Sequence, residues 1–321
     1  MIGRIYIIIL NYNGWKDTIE CLESVLKSDY KNFKIIVVDN NSQNDSIGFI
    51  CNWAVIPESI SAENVYFNKF IRPNAEKPIK YSIWSESEFL QQSNIQEKLI
   101  LVRANENGGF AKGNNIAIQY AMKDPECRYV WLLNNDTVIK QNTLSKLIEY
   151  ADKNEIGICG SSLFYYYNPK KVQAYGGHIN RFFGTSSHIL NVNNIDKKLD
   201  YVVGASFLIN KRLIEKIGYL PEDYFLYYEE TDYCFNARKN GFTLGIALDS
   251  IVYHKEGGST GASQNADKRS EFSDVLTLKN RIKFHKLYLG GGIGLWIGIL
   301  IAFFNRIRRG QMSRIKSVFI D

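Results

Sequence analysis

Four continuous apolar runs, each closing on a cluster of polar residues, constrain this chain more than any other feature. They are residues 5–10 (IYIIIL), 34–38 (KIIVV), 99–102 (LILV) and 129–133 (YVWLL). A strand with no polar alternation is buried on both faces, as in a parallel sheet covered by helices. Helical spacing appears between the runs. Ile19, Leu22, Val25 and Leu26 share one face of 14–27, a helix is expected to end at Met122, and 142–153 reads as another. This alternation predicts an α/β chain with a mainly parallel, doubly wound sheet. Ligands of such sheets sit beyond the carboxyl ends of the strands. The polar clusters stand at those ends: 11–15, Asp39 with Asn40, Asn41 and Ser42, the Gly-rich stretch 107–115 (NGGFAKGNN), and Asn134-Asn135-Asp136.

Residues 52–98 interrupt the rhythm with Pro57, Pro73, Pro78 and two Ser-rich patches, and read as an insertion. Beyond Gly157 the pattern weakens and turns aromatic, which predicts added antiparallel strands and an acceptor-facing wall. The expected organisation is a body over 1–278 and a tail over 279–321. With 45% apolar and 22% charged residues, wholesale disorder is excluded. The net charge of +6 belongs to the tail, because residues 279–316 hold nine Lys or Arg and no acid, leaving thirty basic against thirty-two acidic groups before them. A slightly acidic body argues against nucleic acid as a partner, and a basic tail suits an anionic surface. Residues 287–304 carry no charge and lie between basic flanks, near the lower limit of about 17 residues for a bilayer span. Glycines at 290, 291, 292 and 294 weaken a straight helix there. Contact with a membrane surface through 287–316, interfacial or re-entrant at least as readily as spanning, is preferred to a core helix packed on the sheet.

Five cysteines without a CxxC pair suggest neither a disulfide framework nor a zinc site, and favour a reducing compartment. The amino terminus has no leader-like cleavage site, so secretion is not expected. The expected location is cytoplasmic, at the inner face of the plasma membrane.

Several groups carry chemistry. Asp39 at a strand end suits a nucleobase or ribose hydroxyl, although turn and cap roles are common for Asp. Stretch 107–115 has the composition of an anion cradle, with Gly108 and Gly109 permitting close backbone approach and Lys112 adding charge. It does not match GxxxxGK[ST], and loop 11–15 has only Gly14, so P-loop and dinucleotide enzymes are disfavoured. Asn134, Asn135 and Asp136 offer hard oxygens for Mg²⁺ or Mn²⁺, against a plain Asx turn. Glu229, Glu230 and Asp232 beside the aromatic block 224–228 suit a general base in a sugar-sized cleft. His254 gains weight only if a metal at Asp136 needs another ligand.

Taken in order, IIILNYNGW (7–15), IVVDNNS (36–42), NENGGFAKGNN (105–115), WLLNNDTVI (131–139), the stretch 203–242 and IVYHKEGGS (251–259) resemble inverting family-2 glycosyltransferases of the GT-A fold, in particular the bacterial rhamnosyl- and galactosyltransferase-like branch. The resemblance covers most of 3–260. It implies that Asn11, Tyr12, Asn13 and Asp39 line the nucleotide, and that Asn107, Gly108, Gly109, Lys112 and Asn115 close over donor nucleotide and sugar. It implies that Asn134 and Asn135 lead a DxD-like motif whose Asp136 holds Mg²⁺ or Mn²⁺, with His254 as a further ligand. Gly204, Ala205 and Asp232 fall on the acceptor side. Glu229-Glu230 matches the family's Glu-Asp base motif, with a Glu in the Asp place, so both glutamates stay in contention. The implied function is metal-dependent sugar transfer from a nucleotide-sugar donor to a glycan or lipid-linked acceptor, in surface polysaccharide synthesis. The alternatives are a sugar-phosphate nucleotidyltransferase and a non-catalytic sugar-nucleotide-binding protein.

Overall fold

Side chains of β1 (Arg4–Asn11) alternate between two apolar layers. Ile5, Ile7 and Ile9 enter one layer, and Tyr6 and Ile8 enter the other. This is the two-sided burial that the continuous apolar run predicts. The computed structural model describes residues 3–255 and 270–319. After β1 come α1 (Trp15–Val25), β2 (Phe33–Asp39), α2 (Ser46–Val55), α3 (Asn68–Ile71), β3 (Tyr81–Ser85), α4 (Glu86–Gln91), β4 (Leu99–Arg103), α5 (Gly109–Met122), β5 (Cys127–Leu133), β6 (Thr137–Ile139) and α6 (Thr143–Lys153). The second half adds β7 (Ile158–Tyr165), β8 (Val172–Ala174), β9 (Gly177–Ile179), β10 (Ser186–His188), α7 (Ile195–Lys198), β11 (Ser206–Asn210), α8 (Lys211–Ile217), α9 (Glu229–Lys239) and β12 (Leu244–His254). Three helices close the described chain: α10 (Glu271–Tyr288), α11 (Ile293–Arg308) and α12 (Met312–Val318).

Among the described residues the main sheet runs β3-β4-β2-β1-β5-β11-β7-β12-β6. Strands β3, β4, β2, β1 and β5 are parallel, so Asp39 and Asn134–Asp136 emerge at one edge. Strand β11 runs antiparallel to both β5 and β7, and β12 runs parallel to β7. Two reversals restore direction, so the end of β12 returns to the same edge as the end of β5. The start of β11, with Gly204 and Ala205 just before it, also faces that edge. Strand β6 pairs antiparallel with β12, setting His254 opposite Thr137 and beside Asp136. Topology alone therefore gathers four sequence-distant polar clusters.

Three local outcomes differ from the sequence reading. The insertion contains a strand, β3, at the sheet edge; its five residues are too short to stand out among prolines and serines. Helix α5 starts at Gly109, so only the head of 107–115 is loop. The apolar stretch 287–304 is broken, since Gly290 (φ 81°) and Gly291 (φ 65°) turn the chain between α10 and α11. Helix α11 rests on α10 and the loop at Phe182–Phe183 rather than on the sheet. No described helix is long and apolar enough to cross a membrane. Helix α10 runs through 278 and 279 and seats Phe284 in the main core, so ordered structure continues across the boundary expected there. All five cysteines are free.

Candidate active site

A cleft of about 550 Å³ opens at the carboxyl edge of the sheet. Asn134, Asn135, Asp136 and His254 line it together with Glu229 and Glu230. Its volume suits a ligand of cofactor or sugar-nucleotide size.

Asp136 and His254 are buried, with Asp136 Oδ1 3.1 Å from His254 Nε2. His254 Nδ1 lies 3.0 Å from Gln173 Oε1. An acceptor there selects the tautomer with hydrogen on Nδ1, which turns the Nε2 lone pair toward Asp136. Asn134 Nδ2 also stands 3.3 Å from His254 Nε2, and a shared proton or a shared cation fits between the facing imidazole and carboxylate. Burial pushes the Asp136 carboxyl up, but the charge and hydrogen bond of His254 outweigh it and hold the carboxyl below its ordinary value. The pair would suit a divalent ion such as Mg²⁺ or Mn²⁺, which would supply positive charge beside a diphosphate. Among the described residues no three His, Cys, Asp or Glu side chains converge on one point, so protein ligands alone would not complete its shell.

Glu229 and Glu230 begin α9, and one carboxyl oxygen of each is buried without a hydrogen-bond partner. Burial pushes Glu230 up to about 7. Burial and then the neighbouring Glu230 charge push Glu229 well above the ordinary range. Both shifts favour a pair that carries less charge near neutrality than two ordinary carboxylates would. A buried base that titrates near 7 matches proton abstraction from an alcohol.

The loop before α9 aims both glutamates. Tyr227 (φ 71°) and Tyr228 (φ 74°) lie in the left-handed region, which is costly for bulky residues and must be held by surroundings. Asn280 Nδ2 donates to the carbonyls of Leu226 and Tyr227 at 2.8 and 2.9 Å. The Phe110 amide donates to the Phe225 carbonyl at 2.9 Å, and the Tyr228 hydroxyl to the Gly184 carbonyl at 3.0 Å. Gly109 permits this closeness, since it has φ 79° and a Cβ there would lie 1.9 Å from the Phe225 oxygen. Gly109→Ala is expected to destabilise the fold by about 1–3 kcal/mol, measured by denaturant unfolding.

The glutamate pair also gives stability a pH signature. The folded state raises Glu230 from 4.5 to about 7, so this contribution is full below pH 4.5 and lost as pH rises through 7. Glu230→Gln removes that loss. Its melting temperature should exceed that of the parent at pH 8, with a gain on the order of 3 kcal/mol, and the difference should close near pH 4.5.

The cleft is lined by Tyr12, Asn107, Gly109, Gly204, Ala205, Asn134, Asn135, Asp136, Glu229, Glu230 and His254 from the sequence set. Others stand behind it or away from it. Asn11 and Ser42 each donate to Asp39 Oδ1 at 2.6 Å, so Asn11 and Asp39 shape the nucleotide-side loop from beneath. Asn13 (φ 57°) accepts from the Gln43 amide in the same loop. Lys112 pairs with Glu106, and Asn115 donates to the Leu220 carbonyl and Glu222, so neither reaches the cleft. Gly108 caps α5 beside it. Asp232 accepts from Tyr224 at 2.9 Å and Tyr288 at 2.6 Å and serves the packing of α9 on α10. It shares a helical face with Glu229 but sits one turn deeper, so two of the three α9 carboxylates reach the cleft.

Sequence reasoning missed Gln173, His188 and Phe272, which also line the cleft, and gave Asn40 and Phe110, named only within their loops, no separate role there. Gln173 and His188 sit in short strands with no motif around them. Phe272 comes from α10, far along the chain.

Residues 6–54 and 86–218 match the profile described as glycosyl transferase family 2, which leaves out 55–85 within the insertion. The chain belongs to this family. It is 25% identical over 171 residues to a low-salt glycan biosynthesis hexosyltransferase of Haloferax volcanii, covering 50% of this chain and 53% of that protein. It is 22% identical over 166 residues to a dTDP-rhamnosyl transferase of Shigella flexneri, with the same coverage. The chain thus spans about half the length of these curated relatives. A mannosyltransferase of Pyrobaculum calidifontis, solved with GDP-Man and Mn²⁺, superposes with a TM-score of 0.55 at 12% identity, over 99% of this chain and 74% of that one. S. aureus TarS gives 0.50 at 15% identity, over 94% and 79%. These likenesses establish the GT-A type of α/β fold for this family-2 chain.

Proposed function

We propose that this family-2 chain moves a sugar from a nucleotide-sugar donor to an acceptor hydroxyl in a single inverting displacement. The observation that carries the reading is that Asp136 with His254 and Glu230 with Glu229 open into one cleft. The relatives named as hexosyl- and rhamnosyltransferases, and the neighbour holding GDP-Man and Mn²⁺, support the same class.

Asp136 and His254 hold a divalent cation in this proposal, with Gln173 orienting the imidazole. When bound, the ion supplies positive charge to the diphosphate leaving group. Tyr12, Asn107 and Gly109 face the nucleotide end, while Asp39 and Asn11 fix the loop beneath. Glu230 takes the proton of the acceptor hydroxyl as its oxygen bonds to the anomeric carbon. The bond from that carbon to the diphosphate breaks, and a nucleoside diphosphate leaves. Glu229, whose protonated form is favoured by burial and the Glu230 charge, limits the charge of the buried pair. The transition state is oxocarbenium-like. The acceptor is proposed to be a glycan or lipid-linked glycan of a surface polysaccharide.

A panel of dTDP-, UDP- and GDP-sugars with Mn²⁺, Mg²⁺ or EDTA tests the reading. Release of nucleoside diphosphate dependent on metal and acceptor is expected. Release of pyrophosphate, or donor binding without turnover on any acceptor, would overturn it.

A further inference from the structure

We infer that α11 is an in-plane membrane anchor that docks the protein on an anionic lipid surface and sets the rim of the cleft beside it. The acceptor side of this inference rests on the proposed transferase reading; the lipid contact itself does not.

Helix α11 is amphipathic in the inverted sense. Its inward face is made of Gly294, Leu295, Gly298 and Ile299. A Cβ on Gly294 would sit 2.2 Å from the Phe182 carbonyl oxygen, and one on Gly298 2.1 Å from an Arg281 nitrogen, so small residues bring the helix down tightly. The large apolar residues point outward. Ile293, Leu300 and Phe304 are 73%, 67% and 64% exposed, and Trp296, Ile297, Ile301 and Ile307 join them. Their spacing of three and four places them on one stripe. Surface helices of soluble proteins turn that stripe inward. Phe182, half exposed beside Gly294, extends the patch.

Charge selects the occupant. Residues 275–319 contain no Asp or Glu, and Lys286, Arg308, Arg309 and Lys316 are exposed around the stripe. An apolar stripe with a basic border and a tryptophan matches the boundary between headgroups and acyl chains of an anionic bilayer. Sixteen helical residues span only about 24 Å, short of a hydrocarbon core of about 30 Å, so the helix lies in the surface rather than across it.

The anchor is tied to the cleft at both ends. Near its carboxyl end Arg306 is paired with Asp274 at 2.8 Å, and Glu271 accepts from Ser313 and Ser317 beyond it. Between those two acids, at the start of α10, stands Phe272 of the cleft wall. The amino end of α11 rests on Phe182, in the β9–β10 connection whose far strand carries His188 of the cleft wall. A surface that seats α11 therefore lies beside the acceptor rim, which suits an acceptor borne by a lipid.

The test is vesicle flotation of the full chain with phosphatidylcholine alone and with added phosphatidylglycerol, using the parent and Leu300→Glu/Phe304→Glu. Both positions are exposed, and unchanged circular dichroism with an unchanged thermal shift by donor would show that fold and cleft persist. Flotation with anionic vesicles that falls with salt, and drops more than about tenfold in the variant, is expected. Parent protein that stays with the soluble fraction, or a variant that floats equally, overturns the inference. So does a concentration-dependent dimer, lost in the variant, when neither protein floats, because the stripe would then be an interface between copies.

Discussion

Glu230→Gln is expected to lower kcat/KM for sugar transfer by about a thousandfold, while leaving donor affinity by thermal shift unchanged. The amide keeps the shape of the side chain but takes no proton, so the effect falls on the attacking hydroxyl. Glu229→Gln provides the contrast. Burial and the Glu230 charge both favour the protonated form of Glu229. An amide imitates that state, and a loss of no more than about tenfold is expected. The parent should show an acid limb in log kcat/KM near pH 7, since burial brings Glu230 there and the base must be ionised to act. With Glu229→Gln the limb should remain. If the two variants exchanged effects, Glu229 would be the base.

Asp136→Ala is expected to cost about a hundred- to a thousandfold in kcat/KM and to abolish the dependence on Mn²⁺ over the micromolar range. The residue supplies a carboxylate beside His254, and no third His, Cys, Asp or Glu joins them among the described residues. On the proposed reading, loss of Asp136 would remove one of the two side chains that hold the ion. His254→Ala should act in the same direction but less strongly, and Gln173→Ala about tenfold, because it orients the imidazole from behind. Mn²⁺ titration by calorimetry with donor present separates binding from chemistry. Full turnover by Asp136→Ala with EDTA present would refute the metal role.

The chain itself carried much of this protein's architecture. Residues 5–10, 34–38, 99–102 and 129–133 became parallel strands because unbroken apolar runs have nowhere to go but a sheet covered on both faces. Asp136, Glu229, Glu230 and His254 were legible because acids and a histidine at strand and helix ends differ chemically from their apolar surroundings. The exposed side of 287–304 was not legible. An uncharged run reads alike whether its large residues face a core or a solvent, and only docking through Gly294 and Gly298 turned Trp296, Leu300 and Phe304 outward. The departure of Lys112, Asn115 and Asp232 from the cleft is of the same kind, since partners 6, 105 and 56 residues away claimed their side chains. Local composition determined which residues are able to do chemistry. Strand order determined which of them meet, because β11 reverses and β7 reverses again, returning His254 to Asp136 across 118 residues of chain; pairing over that distance depends on sheet register and packing, which no short window of sequence contains.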